Sequence, residues 1–328
     1  MENINANKER GRDYYLDFVK GILVISVVLI HTAFCSGAKY VPSFMREIVL
    51  ALDVPLFFFI TGCVISKHPN ISPLKQLFKF VLLFFLGVLL IQICLLHISL
   101  PKLMKTIFLM SADTPKVISV KWSYWFVPMY VIALLYSKTI IQYFKKWFSY
   151  FLLAGIPIFY IVTWIINKTV TLNCLGLPVQ SFLFYIWLIL FGYEVYKFKQ
   201  KKFWIFIAIG ALITTICFYS FVPDLVMQKC KFPVKLPYFA LSLISISATM
   251  FFAKNVKSNF ISKIGENAIY YYFSQGIGAS IIYNIAKLPI EIWQLKFILC
   301  FSINLLITII LGYIFSLIYP KFEKLFIK

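Results

Sequence analysis

Acidic residues are scarce in this chain: its 328 residues hold 12 Asp+Glu against 32 Lys+Arg, and charged residues of both signs make up only 13%. A soluble surface of this size is normally built from about a quarter charged residues, so water is excluded as the main solvent. Histidine is rarer still, with His31, His68 and His97 as the three present. None of them combines with the seven cysteines (Cys35, Cys63, Cys94, Cys174, Cys217, Cys230, Cys300) at metal-ligand or CxxC spacing, so no metal site is expected. The cysteines are odd in number and lie mostly in apolar segments, where they read as packing residues. A glycine-rich phosphate loop, a defensible Ser-His-Asp order and an internal repeat are also missing. No pair of interrupted helices recurs in two halves, which disfavours the inverted-repeat transporter folds.

What the chain has in abundance is apolar sequence. Hydrophobic residues make up 61% of it, and the mean hydropathy is +0.87. They come in blocks of about 17 to 25 residues, the length a helix needs at about 1.5 Å per residue to cross a hydrocarbon core of about 30 Å. Reading the blocks against their Pro, Gly, Asn and Lys breaks gives ten helices near 16–35, 45–66, 77–98, 122–138, 148–167, 178–197, 203–222, 237–253, 266–286 and 294–319. The expected fold is all-α, a polytopic integral membrane protein with residues 1–328 as a single membrane-embedded domain. Residues 1–15 read as a cytoplasmic N-terminal segment without a cleaved signal, and no appended soluble domain is expected.

The formal charge of +20 sits in short clusters between apolar blocks, which points to membrane topology and away from nucleic acid. Placing the N-terminus in the cytoplasm puts about 19 basic residues inside, including Lys8, Arg10, Arg12, Lys67, Lys145, Lys146, Lys197, Lys199, Lys254 and Lys328, against about 12 outside. Both termini are then cytoplasmic, in a multi-pass protein of the cytoplasmic membrane. The long connection at 99–121, with Lys102, Lys105, Lys116 and Lys121, falls on the outer side.

Ionisable residues inside a spanning helix are costly, so each requires a reason and a partner. The first helix holds Asp17, Lys20 and His31. Asp17 and Lys20 are one turn apart and His31 lies about three turns beyond Lys20, so the three share one face as a polar stripe about 16–20 Å long. Two readings of Asp17 and Lys20 stand side by side: a helix-end ion pair at the inner interface, or the start of a substrate path. His31 is either a packing histidine or a base. Asp53, entering with the second helix from outside, falls at about the same depth as His31. It would either orient the imidazole, as a general base requires, or pair with Arg46 or Lys39 near the outer surface. Pro55 should locally loosen that helix. Trp122, Tyr124 and Trp125 open the fourth helix, as an interfacial belt or as a platform for a sugar ring. Ser274 and Gln275 sit mid-helix, where such residues bond neighbouring helices. Glu194 and Glu266 are expected to pair with Lys197 and Lys263.

The run Leu16-Asp17-Phe18-Val19-Lys20-Gly21, followed ten residues after the lysine by His31, resembles the opening signature of membrane acyltransferase family 3. Val54-Pro55-Leu56-Phe57-Phe58-Phe59-Ile60-Thr61-Gly62 is similar to that family's second-helix motif, where serine often stands at the Thr61 position. Trp125-Phe126 and Ile264-Gly265-Glu266-Asn267-Ala268-Ile269-Tyr270 echo it more faintly. Two departures stand out: Lys20 replaces a common arginine, keeping the charge but not the bidentate grip, and the ninth helix reads Tyr270-Tyr271-Tyr272-Phe273-Ser274-Gln275 where relatives often end in histidine.

The resemblance implies an O-acyltransferase, commonly an O-acetyltransferase, that uses cytoplasmic acyl-CoA, such as acetyl-CoA, as co-substrate. The acceptor would be a hydroxyl of a surface polysaccharide or of its lipid-linked precursor. Arg12 and Lys20 would meet the CoA phosphates, His31 would act as general base with Asp53 beside it, and Asp17, Thr61, Trp125 and Gln275 would support the substrates. Implied partners are membrane lipid, a sugar or polysaccharide acceptor, and a second copy of the chain in a homo-oligomer, but no nucleic acid. The alternative is a polysaccharide exporter or flippase-like transporter, for which a buried polar stripe would be a transport path.

Overall fold

The computed structural model describes residues 12–326 apart from 37–39, 71, 113–116, 169, 171, 175, 197–199, 223 and 254–255. Lys8, Arg10, Lys39, Lys116, Lys197, Lys199, Lys254 and Lys328 lie outside the described residues, and so does the expected Glu194–Lys197 pair.

Fourteen helices are described: α1 (Tyr14–Cys35), α2 (Ser43–Val49), α3 (Pro55–Lys67), α4 (Pro73–Cys94), α5 (Leu100–Ile107), α6 (Ile118–Ser123), α7 (Phe126–Tyr143), α8 (Lys146–Ile165), α9 (Val179–Val195), α10 (Lys201–Phe221), α11 (Leu236–Phe251), α12 (Phe260–Glu266), α13 (Ala268–Ile285) and α14 (Trp293–Phe326). A minimal antiparallel ladder, β1 (Asn173–Cys174) against β2 (Leu177–Pro178), leads into α9. Among the described residues, seven helical segments are long and apolar enough to cross a membrane, α9 and α11 are shorter apolar helices, and α13 is a further buried helix of 18 residues. Every one of the ten apolar blocks in the sequence corresponds to a helix, and the protein is an all-α polytopic membrane protein.

Two of the ten are broken where a continuous helix was expected. The second turns through a 3-10 segment at Leu50–Leu52 and an extended Asp53 before restarting at Pro55. Proline lacks a backbone donor, so it is tolerated at the first position of a helix, and here it begins one. The fourth pauses at Tyr124 and Trp125, between α6 and α7, whereas the ninth begins at Ala268, set off from α12 by a break at Asn267. The connection at 99–121 is not plain loop, since it carries α5 and α6.

Local signals start the helices. Asp13 caps α1 by accepting from the backbone N–H groups of Tyr15 and Leu16. Asn259 and Ser262 form a reciprocal capping box at α12. Side-chain contacts then show the spans alternating in direction. Where α1 begins, Arg12 and Asp13 meet Glu266 at the end of α12, Lys67 at the end of α3 and Tyr196 just after α9, while Tyr15 bonds Thr249 near the end of α11. At the opposite end, Glu47 accepts from Tyr219 at the close of α10 and from Met227 in the following loop.

Close approach at glycines sets how the central helices cross. A Cβ on Gly62 would lie 2.0 Å from the Ile189 carbonyl oxygen, and one on Gly192 would lie 2.1 Å from that of Phe59, so α3 and α9 touch backbone to backbone. Gly21 and Gly265 do the same for α1 and α12, where the corresponding distances are 2.1 Å to Ile261 and 1.7 Å to Asp17. Lipid offers little hydrophobic drive between helices, so small residues that permit such contact carry the packing. The α2–α3 segment is the most buried of the seven long spans, whereas α8 and α10 turn their Leu, Ile and Phe side chains outward, as lipid-facing helices do.

Candidate functional site at the two ends of the first helix

Asp17 is buried, yet it is ionically saturated. Its Oδ2 accepts from Arg12 Nε at 2.6 Å and its Oδ1 lies 2.6 Å from Lys20 Nζ. Arg12 also reaches Glu266 at 2.5 Å. The helix-end ion pair and the start of the polar stripe are therefore the same object, a four-membered cluster with two charges of each sign. Glu266 pairs with Arg12, a correction to the expected Lys263, because the close crossing at Gly21 and Gly265 brings the end of α12 onto the start of α1. A phosphate arriving at Arg12 would compete with Glu266, which is 43% exposed, more readily than with Asp17 at 8%.

Asp13, beside this cluster, shows the same logic. Burial pushes its carboxyl up, but hydrogen bonds from the Tyr196 hydroxyl and from the Leu16 and Tyr15 N–H groups, with the charge of Lys67, outweigh burial and hold it below its ordinary value. Arg12 runs the opposite way from burial too: desolvation would weaken its charge, but Asp17 and Glu266 keep it above its usual value.

Near the other end of α1, His31 lines a cleft of about 440 Å³. Cys35, one turn on, places its sulfur 4.0 Å from His31 Nδ1. Trp122 and Trp125 line the same cleft, as do Lys231 and Phe232 from the loop before α11. Trp125 packs edge-on against Phe232 with ring centroids 4.6 Å apart, and the Lys231 ammonium lies 5.3 Å from the Trp125 ring centre. The cleft thus joins one imidazole, aromatic walls and one cation, a lining suited to a polyhydroxylated ring.

Asp53 is buried at this end, but its described contacts run elsewhere than to His31. Its Oδ2 accepts from Lys231 Nζ and from the Tyr238 hydroxyl, both at 2.6 Å, and its Oδ1 accepts from the Val54 N–H at 2.7 Å. The extended backbone at the break in the second span turns the carboxylate toward the loop before α11. Arg46 is not its partner either among the described residues. The sequence reading did not find Lys231 or Tyr238. A lysine in a short loop reads as solvated, and only the chain's return from α10 over the helix break buries it.

The remaining expected residues are placed as follows. Thr61 donates to the Phe57 carbonyl at 2.8 Å and lies 3.3 Å from the Tyr130 hydroxyl, inside the bundle and not on the cleft lining. Gln275 is wholly buried, and both its amide atoms lack a protein hydrogen-bond partner among the described residues. Ser274 bonds back to Tyr270 at 2.8 Å within its own helix. No cluster of three or more metal-ligating side chains exists among the described residues.

Neither the curated proteins nor the solved structures yield a match. Residues 13–317, nearly the whole chain, match a family model described as an acyltransferase domain. The chain therefore belongs to the acyltransferase 3 family of membrane proteins.

Proposed function

We propose that this acyltransferase is an O-acetyltransferase of the cytoplasmic membrane, moving an acetyl group from cytoplasmic acetyl-CoA to a hydroxyl of a surface polysaccharide or its lipid-linked precursor. The observation that carries the reading is the placement of His31 in an aromatic-walled cleft at the opposite end of α1 from the Arg12–Asp17–Lys20 cluster. The acyl donor arrives from one side of the membrane and the sugar from the other, so a site built along one spanning helix suits a reaction that must join them.

In this mechanism Arg12 and Lys20 hold the donor's phosphates by charge, and Asp17 fixes both cations in place. His31 takes the proton of the acceptor hydroxyl as that oxygen bonds to the thioester carbonyl carbon and the carbonyl oxygen gains negative charge. The carbonyl then re-forms, the carbon–sulfur bond breaks, and the departing CoA sulfur takes the proton held by His31. Trp122 and Trp125 stack on the sugar ring and exclude water from the thioester.

The test is acetyl transfer from labelled acetyl-CoA to surface glycan in membranes carrying wild type or His31→Ala at matched expression. Loss of general-base catalysis predicts a fall of about 10² to 10⁴-fold in the variant. Wild-type labelling by His31→Ala would refute the mechanism. Absence of labelling by either form, together with glycan movement across the membrane, would favour an exporter.

A further inference from the structure

We propose that Lys231 is a catalytic residue of this site, its ammonium donating to the carbonyl oxygen as that oxygen becomes negative during acyl transfer. The inference rests on the acyltransferase reading above.

A lysine that is 6% exposed needs a reason to be buried, because desolvating an ammonium is expensive. One answer is a structural tie: Lys231 Nζ and Asp53 Oδ2 are 2.6 Å apart, which anchors the loop before α11 on the break in the second span. That answer is incomplete. A buried ion pair can usually be replaced by apolar side chains of similar size without loss of stability, so anchoring does not require charges.

The surroundings of Lys231 point to a second use. Its side chain lines the cleft that holds His31. An ammonium has three N–H donors, and among the described residues Asp53 is its one hydrogen-bonding partner. The faces of Trp125 and Phe232, with centroids 5.3 and 5.8 Å away, hold the ammonium without accepting a conventional hydrogen bond. Asp53 is itself fixed by Tyr238 and by the Val54 N–H, so the position of Nζ is set from behind.

Electrically the pair is neutral, so it does not attract a resident anion. What it leaves in the cleft is preoriented N–H donors in a partly dry setting. That is the arrangement that binds an oxygen weakly in the ground state and strongly once charge develops on it. On this assignment Asp53 is a positioning residue that acts through Lys231.

The experiment compares wild type, Lys231→Met, Asp53→Asn, the double variant and His31→Ala in purified membranes. It measures kcat and KM from thiol release by acetyl-CoA with acceptor glycan present, and folding by thermal midpoint and gel filtration. Lys231→Met should lower kcat by about 10² to 10³-fold with donor KM little changed, the usual cost of removing one such donor. The double variant, which leaves no unpaired buried charge, should fold like wild type yet stay as slow as Lys231→Met. Asp53→Asn, which keeps the ammonium, should turn over at least tenfold faster than Lys231→Met.

Recovery of the double variant to within tenfold of wild type would make Lys231 merely the partner of Asp53 and overturn the proposal. Equal loss in Asp53→Asn and Lys231→Met would assign the essential group to the carboxylate, with the same result. His31→Ala retaining activity while the Lys231 pattern holds would sink the general-base reading alone. Absence of thiol release by wild type would overturn both.

Discussion

Substituting Gly265 with alanine is the sharpest test of how the inner cluster is held. The new Cβ would lie 1.7 Å from the Asp17 carbonyl oxygen and 2.6 Å from the Gly21 nitrogen, against 3.4 Å or more for ordinary contact. Both atoms belong to backbone, so no side chain can swing aside, and α12 must retreat from α1 by roughly 1.7 Å. Overpacking of this kind costs about 1–3 kcal/mol, and a backbone-to-backbone clash belongs at the upper end. The same retreat would stretch the contact between Arg12 and Glu266. The assay is the thermal midpoint in detergent beside two controls, Gly155→Ala and Gly210→Ala, where nothing lies within 4 Å of the added methyl. Alanine is the better helix former, so the controls should be neutral or gain up to about 1 kcal/mol. A Gly265→Ala midpoint matching those of the controls would refute the claim that α1 and α12 touch through their backbones.

Three further outcomes follow from the same geometry. Asp13→Asn keeps a capping oxygen but removes the charge at the N-terminus of α1 and toward Lys67, so it should lower stability at neutral pH by about 0.3–1 kcal/mol. Because the folded Asp13 carboxyl is held below its ordinary value of 3.8, that stabilisation is present above 3.8 and lost as pH falls through the folded value. Thermal midpoints of wild type and variant should therefore converge on acidification, and a constant gap would contradict the assignment. Glu266→Gln frees Arg12 of one carboxylate, so donor KM should fall by about two- to fivefold, with the difference shrinking in high salt; an unchanged KM would mean that Arg12 does not meet the donor. Trp125→Leu should raise acceptor KM by about tenfold and leave donor KM alone, as expected for loss of an aromatic face; a donor-side effect would place the acceptor elsewhere.

The sequence by itself determined the solvent, the places of the ten apolar blocks and one face of the candidate site. Apolar blocks of membrane-spanning length have few folded alternatives in lipid, because every backbone polar group must be satisfied within its own helix. Spacing of 3.6 residues per turn put Asp17, Lys20 and His31 on a common stripe before any packing was known. Pro55 announced the irregularity in the second span, though not that Asp53 would turn extended there. Tertiary structure alone decided the partners. Glu266 reaches Arg12, 254 residues away, because two glycines let α1 and α12 meet, and Asp53 reaches Lys231, 178 residues away, because a loop folds back over a broken helix. Helical periodicity is a local property and fixes which residues share a face. Which faces meet depends on close packing between segments far apart in the chain, and that information is spread over both partners.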